Sequence, residues 1–455
     1  MASKFTEPLS VARPVVDVRR LIDDHPFSRY QLLIVVLCGA VLTLDGFDAQ
    51  AMGYVAPALV QHLHITRASL GPVFSSGLLG ILLGALLFGP LADRWGRRPV
   101  LLLCTALFGL ACLFTALASS LNAILLIRLV TGFGLGGVMP NAIAITSEYT
   151  PRRIRATAIV SMFCGFSLGA ASGGFMAVGL IARYGWQSIF ILGGVVPCLL
   201  AVLSYVMLPE SIGFLVAKGK RDARVARYLR RIDPSIPADA DFAIEAYRAS
   251  GLLVNQLFAV GRTRLTLLLW VIFFMSLLDL YLLNNWLPTV MHDAGMAVQT
   301  AILVTTLFQV GGAVGAVVLG RLIDRYPSFH VLAATYLGAS VSVFLIGTAG
   351  RSVSGLACAV FAAGFCVVGG QIASNATTAA FYPTVIRSTG LGWALGIGRI
   401  GSIVGPLLGG MLLIAHKDGR HLFSAAAVPM LIAAAAAICA ARACSPNTLQ
   451  KAKDA

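Results

Sequence analysis

Apolar stretches of about 20 residues recur along nearly the whole chain, each long enough to cross a ~30 Å hydrocarbon layer. They fall at 31–55, 69–91, 99–118, 122–146, 157–181, 188–208, 265–287, 300–320, 331–349, 354–379, 387–414 and 422–441. The pattern predicts an all-α membrane protein with twelve transmembrane helices. The longest polar interval, 209–264, divides them into two sets of six. The expected organisation is a terminal segment (1–29), a six-helix bundle (30–208), a linker (209–264), a second six-helix bundle (265–441) and a tail (442–455). Basic residues such as Lys218, Arg224 and Arg231 fill the linker, which is expected to hold at most short helices and no chemistry.

Composition removes the soluble alternative. Charged residues make up 12% of the chain and hydrophobic ones 58%, whereas soluble domains carry about a quarter charged residues. Residues 1–29 are polar and precede the first apolar run, so the first helix is expected to be retained rather than cleaved as a signal peptide. The net charge of +15 would suit nucleic acid, but its placement argues otherwise. With both termini in the cytoplasm, 27 of the 34 Lys and Arg lie in inner segments. Five (Arg67, Arg183, Arg351, Lys417 and Arg420) lie outside, and Arg128 and Arg399 lie within helices. This is the positive-inside distribution of an inner-membrane protein, with the lipid bilayer as partner and no nucleic acid. Nine cysteines, an odd number with no C-x-x-C spacing, suggest neither disulfide framework nor metal site. No nucleotide loop, metal spacing or nucleophile motif points to an enzyme.

The two sets of helices superpose in sequence. Asp48 and Asp279, Pro57 and Pro288, Gly89 and Gly320, Asp93 and Asp324, and Arg94 and Arg325 are each 231 apart. Later pairs are 232 apart: Pro151 with Pro383, Arg155 with Arg387, Thr157 with Thr389 and Gly169 with Gly401. Residues of such types at one offset indicate two parallel repeats related by an axis along the membrane normal.

Two loop motifs carry charge. Gly89-Pro-Leu-Ala-Asp93-Arg94-Trp-Gly96-Arg97-Arg98 joins helices 2 and 3, and a weaker copy, Gly320-Arg-Leu-Ile-Asp324-Arg325, joins helices 8 and 9. Its glycines permit close helix approach and a tight turn, and its charges can bond to neighbouring helix ends and hold the cytoplasmic side shut. At the ends of helices 4 and 10 lie Glu148-Tyr-Thr-Pro151-Arg152-Arg153-Ile-Arg155 and Phe381-Tyr-Pro383-Thr-Val-Ile-Arg387. Glu148 is placed to pair with Arg97, Arg98 or Arg155 in a gate. For the arginines, plain topological anchoring explains the positions equally well.

Ionisable groups inside the membrane cost at least ~2.5 kcal/mol at a helix centre unless paired or wet. Helix 1 carries Asp45 and Asp48, three apart and so on one face. Two close carboxylates resist ionising together, which suits proton carriage. Asp279 offers a third carboxylate or merely polar glue. Arg128 and Arg399 each need a carboxylate, supplied by the protein or by a substrate. Counted along the helices, Asp48 lies at the depth of Arg128 and is expected to pair with it, whereas Asp45 lies nearer the level of Arg399 and is expected to carry the proton. Gln371, Asn375 and Tyr281, with Ser374, Asn284, Asn285 and Trp286, would either orient a hydroxylated aromatic ring or tie helices together.

The loop signature, in both halves, resembles that of the major facilitator superfamily. Asp45-Gly-Phe-Asp48, Arg67-Ala-Ser-Leu-Gly-Pro72, Ser147-Glu-Tyr-Thr-Pro151, Ser161-Met-Phe-Cys-Gly-Phe166 and Gly396-Ile-Gly-Arg399 further resemble the aromatic acid:proton symporters across essentially the whole chain. Bacterial transporters of 4-hydroxybenzoate and protocatechuate are most similar. The resemblance implies symport of a small aromatic carboxylate with protons, no cofactor beyond the coupling proton, and a coupling role for the paired aspartates. It also implies that Arg128, Glu148, Arg387 and Arg399 are needed for transport. The second loop copy departs from the pattern by lacking Gly-Arg-Arg. Pro209-Glu210-Ser211 is shared with sugar porters, whose acidic signature after the last helix is missing from 441–455. A transporter of another small organic acid or sugar-like metabolite, or a non-transporting sensor, is the alternative.

Overall fold

The computed structural model describes residues 15–218, 223–236, 241–243, 255–258, 262–348, 352–382, 386–415 and 419–443. Twelve of its helices are long and apolar enough to cross a membrane. They are α1 (Arg29–Leu63), α2 (Leu70–Trp95), α3 (Arg97–Ala116), α4 (Leu121–Tyr149), α5 (Arg152–Tyr184) and α6 (Gln187–Met207) in the first half. The second half comprises α7 (Thr263–Asp293), α8 (Val298–Arg325), α9 (Ser328–Thr348), α10 (Val353–Phe381), α11 (Arg387–Ala415) and α12 (Gly419–Ala443). Each expected span falls on one of these helices. The difference is length: α1, α5 and α7 run for 35, 33 and 31 residues. Hydropathy marks the hydrocarbon crossing and not the whole helix. Ser28 starts α1 through a capping box with Gln31, and α1 continues past Pro57 to a left-handed His64.

Glycines set how closely the helices pack. A Cβ at Gly132 of α4 would collide with the Gly77 carbonyl of α2, and one at Gly364 of α10 with the Phe308 carbonyl of α8. Likewise Gly169 of α5 meets the Thr43 carbonyl of α1, and Gly401 of α11 meets the Phe274 carbonyl of α7. These seams occupy equivalent places in the two repeats, so the sequence offset is reproduced in packing. With no hydrophobic drive between helices in lipid, such backbone approach supplies the contact.

The halves meet along α1–α7, α2–α11 and α5–α8. Gly53 of α1 lies against the backbone of Asn284 in α7, and Gln61 bonds His292 at 3.1 Å. Each pair is separated by 231 residues, the repeat offset, so both sit on the pseudo-two-fold axis. All these contacts lie toward the face opposite the one where α1 starts and α12 ends. We call the latter the terminal face and the former the far face. Gly71 also packs there against Pro406 and Gly410, and Gly174 against Thr306. Toward the terminal face, Gly89, Gly320, Gly392 and Gly396 have open space where a side chain would project. Among the described residues the two bundles therefore close on each other toward the far face and leave open space toward the terminal face.

The segments before α1 and after α6 cover the terminal side of the first half. Val15–Asp17 pairs in parallel with Asp241–Ala243. A short helix, Val18–Asp24, buries Val18 and Ile22, while Asp23 accepts from the Arg152 amide at 2.7 Å and His25 meets Asp233 at 3.1 Å. The linker holds the short helices Ile212–Lys218 and Ala223–Leu229, together with the strand Asp241–Ala243 and a 3-10 turn at Asn255–Phe258, which hydropathy alone did not indicate.

Candidate functional site

Charged side chains of α1, α4 and α11 form one connected set that runs from the first half to the second. Asp48 accepts from both terminal nitrogens of Arg128, at 2.8 and 2.9 Å, and both residues are buried. The Cys112 thiol of α3 donates to the same carboxylate at 3.2 Å, and Phe190 of α6 lies 6.0 Å beneath the guanidinium. The guanidinium lies alongside Gly77 of α2. This bidentate pair satisfies both charges away from water. Of the two expectations for Arg128, a substrate clamp or a pair with an aspartate of α1, this conformation has the second, with both Nη atoms on Asp48.

One turn earlier, Asp45 is 6% exposed and makes no hydrogen bond or ion pair among the described residues. The charges that act on it are those of Arg399 and Asp48. The aspartates share a helix face, as expected, but divide their partners: Asp48 engages α4, and Asp45 looks toward α11. Arg399 is half-buried and donates to the Tyr281 hydroxyl at 3.2 Å. Among the described residues no carboxylate forms an ion pair with it. Tyr281 thus orients a guanidinium that lacks an anion.

Other expected site residues are placed differently. Asp279 lies mid-way along α7, fully enclosed, with neither carboxylate oxygen bonded. Val360 of α10 occupies the position that corresponds to Arg128 in α4, so the second half has no counterpart of the buried pair. Both amide atoms of Gln371 and the Oδ1 of Asn375 are buried without partners among the described residues. Ser374, Asn284 and Trp286 serve as links within the structure: Ser374 bonds Tyr336, Asn284 bonds Gln309, and the Trp286 indole donates to the Pro406 carbonyl.

The loop between α2 and α3 joins a charged network at the terminal face. Gly96 turns the chain with a φ of 111°. Arg97 donates to Glu148, which also accepts from the Ser211 hydroxyl at 2.7 Å and the Gly213 amide at 3.1 Å. Glu210 accepts from the Arg98 amide at 3.0 Å, and its own carbonyl receives the Tyr149 hydroxyl. Arg98 also donates to the Tyr205 carbonyl. The expectation that this loop shuts the face is not met in this conformation, because the network stays within the first half. Asp93, Arg94, Asp324 and Arg325 are exposed and unbonded among the described residues, and Gly89 and Gly320 face open space. The side chain of Arg387 and residues 383–385 lie outside the described residues. Cys112 and Glu210 were not legible as site residues. A cysteine in an apolar helix carries no signal, and Glu210 reads only as a shared Pro-Glu-Ser.

Two six-helix repeats packed about a membrane-normal axis, enclosing charged side chains and open at one face, define a polytopic membrane transporter. The Major Facilitator Superfamily model matches residues 38–261 and 269–453, and the chain belongs to that family. It is 43% identical over 423 residues to the 4-hydroxybenzoate transporter PcaK of Pseudomonas putida, covering 92% of this chain and 94% of that one. It is 40% identical over 422 residues to a gallate transporter of Pseudomonas putida, again covering 92% and 94%. The fold is also that of a D-xylose-proton symporter of known structure, at a TM-score of 0.70 and 18% identity, covering 89% of this chain and 97% of that one. The protein is a transporter and not an enzyme.

Proposed function

We propose that the protein imports an aromatic carboxylate, such as 4-hydroxybenzoate or protocatechuate, with protons across the inner membrane. The terminal face is cytoplasmic in this reading, supported by the excess of Lys and Arg in the segments on that side. The observation that carries the proposal is Arg399: a guanidinium within the bundles, oriented by Tyr281, with no ion-pairing carboxylate of its own. A substrate carboxylate is the missing anion, and the two-pronged geometry of a guanidinium suits it. The relatives that carry 4-hydroxybenzoate and gallate support an aromatic acid as that substrate.

Asp45 supplies the proton site, since it lies within electrostatic reach of Arg399 and is not committed to another cation. Asp48 holds Arg128 in place, and Asp279 is a second protonatable group in the other half. In the closed state, Asp93 and its neighbours, Asp324, Arg325 and Arg387 join the Arg97–Glu148 network as the cytoplasmic gate.

Proteoliposomes with an imposed inward proton gradient test this reading. They should accumulate labelled 4-hydroxybenzoate, and the free acids should compete far better than their methyl esters. Accumulation that follows a sodium gradient and ignores pH would overturn the coupling. Strong competition by the methyl ester would overturn the arginine clamp.

A further inference from the structure

The segment Arg67–Pro72 has no part in the charged site, yet it lies on the seam between the halves. Arg67, in a single 3-10 turn (Arg67–Ser69) between α1 and α2, meets Asp293 at the end of α7 at 2.7 Å. The turn is held locally by Thr66 and Ser69, whose hydroxyls are 2.8 Å apart. Behind it, the backbone of Ala68 and Gly71 rests on Gly410 and Pro406 of α11. The ion pair stands beside the axial contact of Gln61 with His292. Beneath both lies a cavity of about 80 Å³ lined by Pro57, Thr289 and the residues of the two contacts.

The chemistry of this pair differs from that of Asp48 and Arg128. Its side chains are 50% and 18% exposed, so water is ready to receive the charges when they part. A half-wet ion pair is weak and easily broken, which fits a contact that is remade in every cycle. It also breaks the repeat symmetry: the equivalent positions, Val298 and His62, cannot form a carboxylate pair.

We propose that Arg67 and Asp293 form the far-face gate, an ion pair that closes the pathway while the terminal face is open and parts each time the far face opens. The inference rests on the transporter reading but not on the identity of the substrate or the coupling ion.

Thr289→Cys places a thiol in the cavity beneath the gate, at a position 2% exposed in this state. In right-side-out vesicles, its labelling by a membrane-impermeant maleimide, corrected for the protein without that substitution, reports opening of the far face. Arg67→Gln or Asp293→Asn should each raise the labelling rate about three-fold or more, as expected from loss of a half-exposed ion pair that biases a two-state equilibrium. The exchange Arg67→Asp with Asp293→Arg should return the rate to within about two-fold of the starting protein. Because no substrate is needed, a negative result here leaves the proposed transport activity untouched. Unchanged labelling in both single variants would overturn the gate, as would an exchange variant that labels as fast as the singles. Failure of the single variants to reach the membrane, with normal insertion of the exchange variant, would make the pair a folding clasp instead.

Discussion

Asp48 holds Arg128 by two parallel hydrogen bonds, while Asp45, one turn away on the same helix, holds nothing. Two carboxylates with nearly the same sequence context therefore face different tasks. The separation yields a direct test. Asp45→Asn should abolish proton-driven accumulation yet leave substrate exchange, which moves no net protons. Asp48→Asn should weaken both, because an unpaired buried arginine costs about 3–5 kcal/mol. Exchange and gradient-driven uptake are measured side by side at equal membrane levels. Loss of exchange in Asp45→Asn with its retention in Asp48→Asn would reverse the roles.

Tyr281 orients Arg399 through one hydroxyl. Tyr281→Phe keeps the ring and removes that bond, worth about 1.5–3 kcal/mol when one partner is charged. The expected outcome is a KM for uptake raised by about ten- to a hundred-fold, with protein levels unchanged. Arg399→Gln should abolish uptake, whereas Arg399→Lys should retain a trace, since a point charge replaces the fork. Equal uptake by Arg399→Gln and the parent protein would remove Arg399 from substrate binding.

The terminal-face network assigns different weights to its members. Glu148 accepts from Arg97, Ser211 and Gly213, so Glu148→Gln removes charge from three contacts at once. It should lower the melting temperature in detergent as well as the transport rate. Asp93→Asn should lower the rate alone, because Asp93 makes no contact to lose in the open state. A fall in stability for Asp93→Asn matching that of Glu148→Gln would contradict this division.

Gly132 and Gly364 are matched by the repeat, and each faces a carbonyl of the neighbouring helix. Gly132→Ala and Gly364→Ala should each destabilise the folded protein by about 1–3 kcal/mol through overpacking. Gly89→Ala, with open space around it, should leave stability in detergent unchanged. Thermal unfolding of the three purified variants checks the order.

The helices, the duplication and the family were legible because they depend on patterns that the membrane imposes on every residue. Twenty apolar positions per crossing, and paired residues at a fixed offset, survive without any knowledge of packing. Rotation about each helix axis is not written that way. Asp45 and Asp48 could be placed on one face, and depth along the helices singled out Asp48 as the partner of Arg128, as the structure has it; the thiol of Cys112, which joins that pair from a third helix, left no mark in the pattern. Gln371 and Asn375 read equally as ligands or as glue between helices, and the pattern could not say that both amide atoms of Gln371 and the Oδ1 of Asn375 would be buried without partners. The loop motif was found correctly, yet its working contacts run through Arg97, Arg98, Glu148 and Glu210, from three separate stretches of chain.

The meeting of Gln61 with His292 on the repeat axis has a further consequence. A contact on a two-fold axis is, in a dimer of identical six-helix chains, a residue touching its own copy. Only a side chain able both to give and to receive a hydrogen bond can satisfy itself in that position, and glutamine and histidine both qualify. Fusion of the halves frees the two positions to differ without losing the bond. Positions 61 and 292 thus form a hetero-contact where a symmetric dimer would need a self-complementary one, and His292→Gln is the substitution that would make the two sides identical.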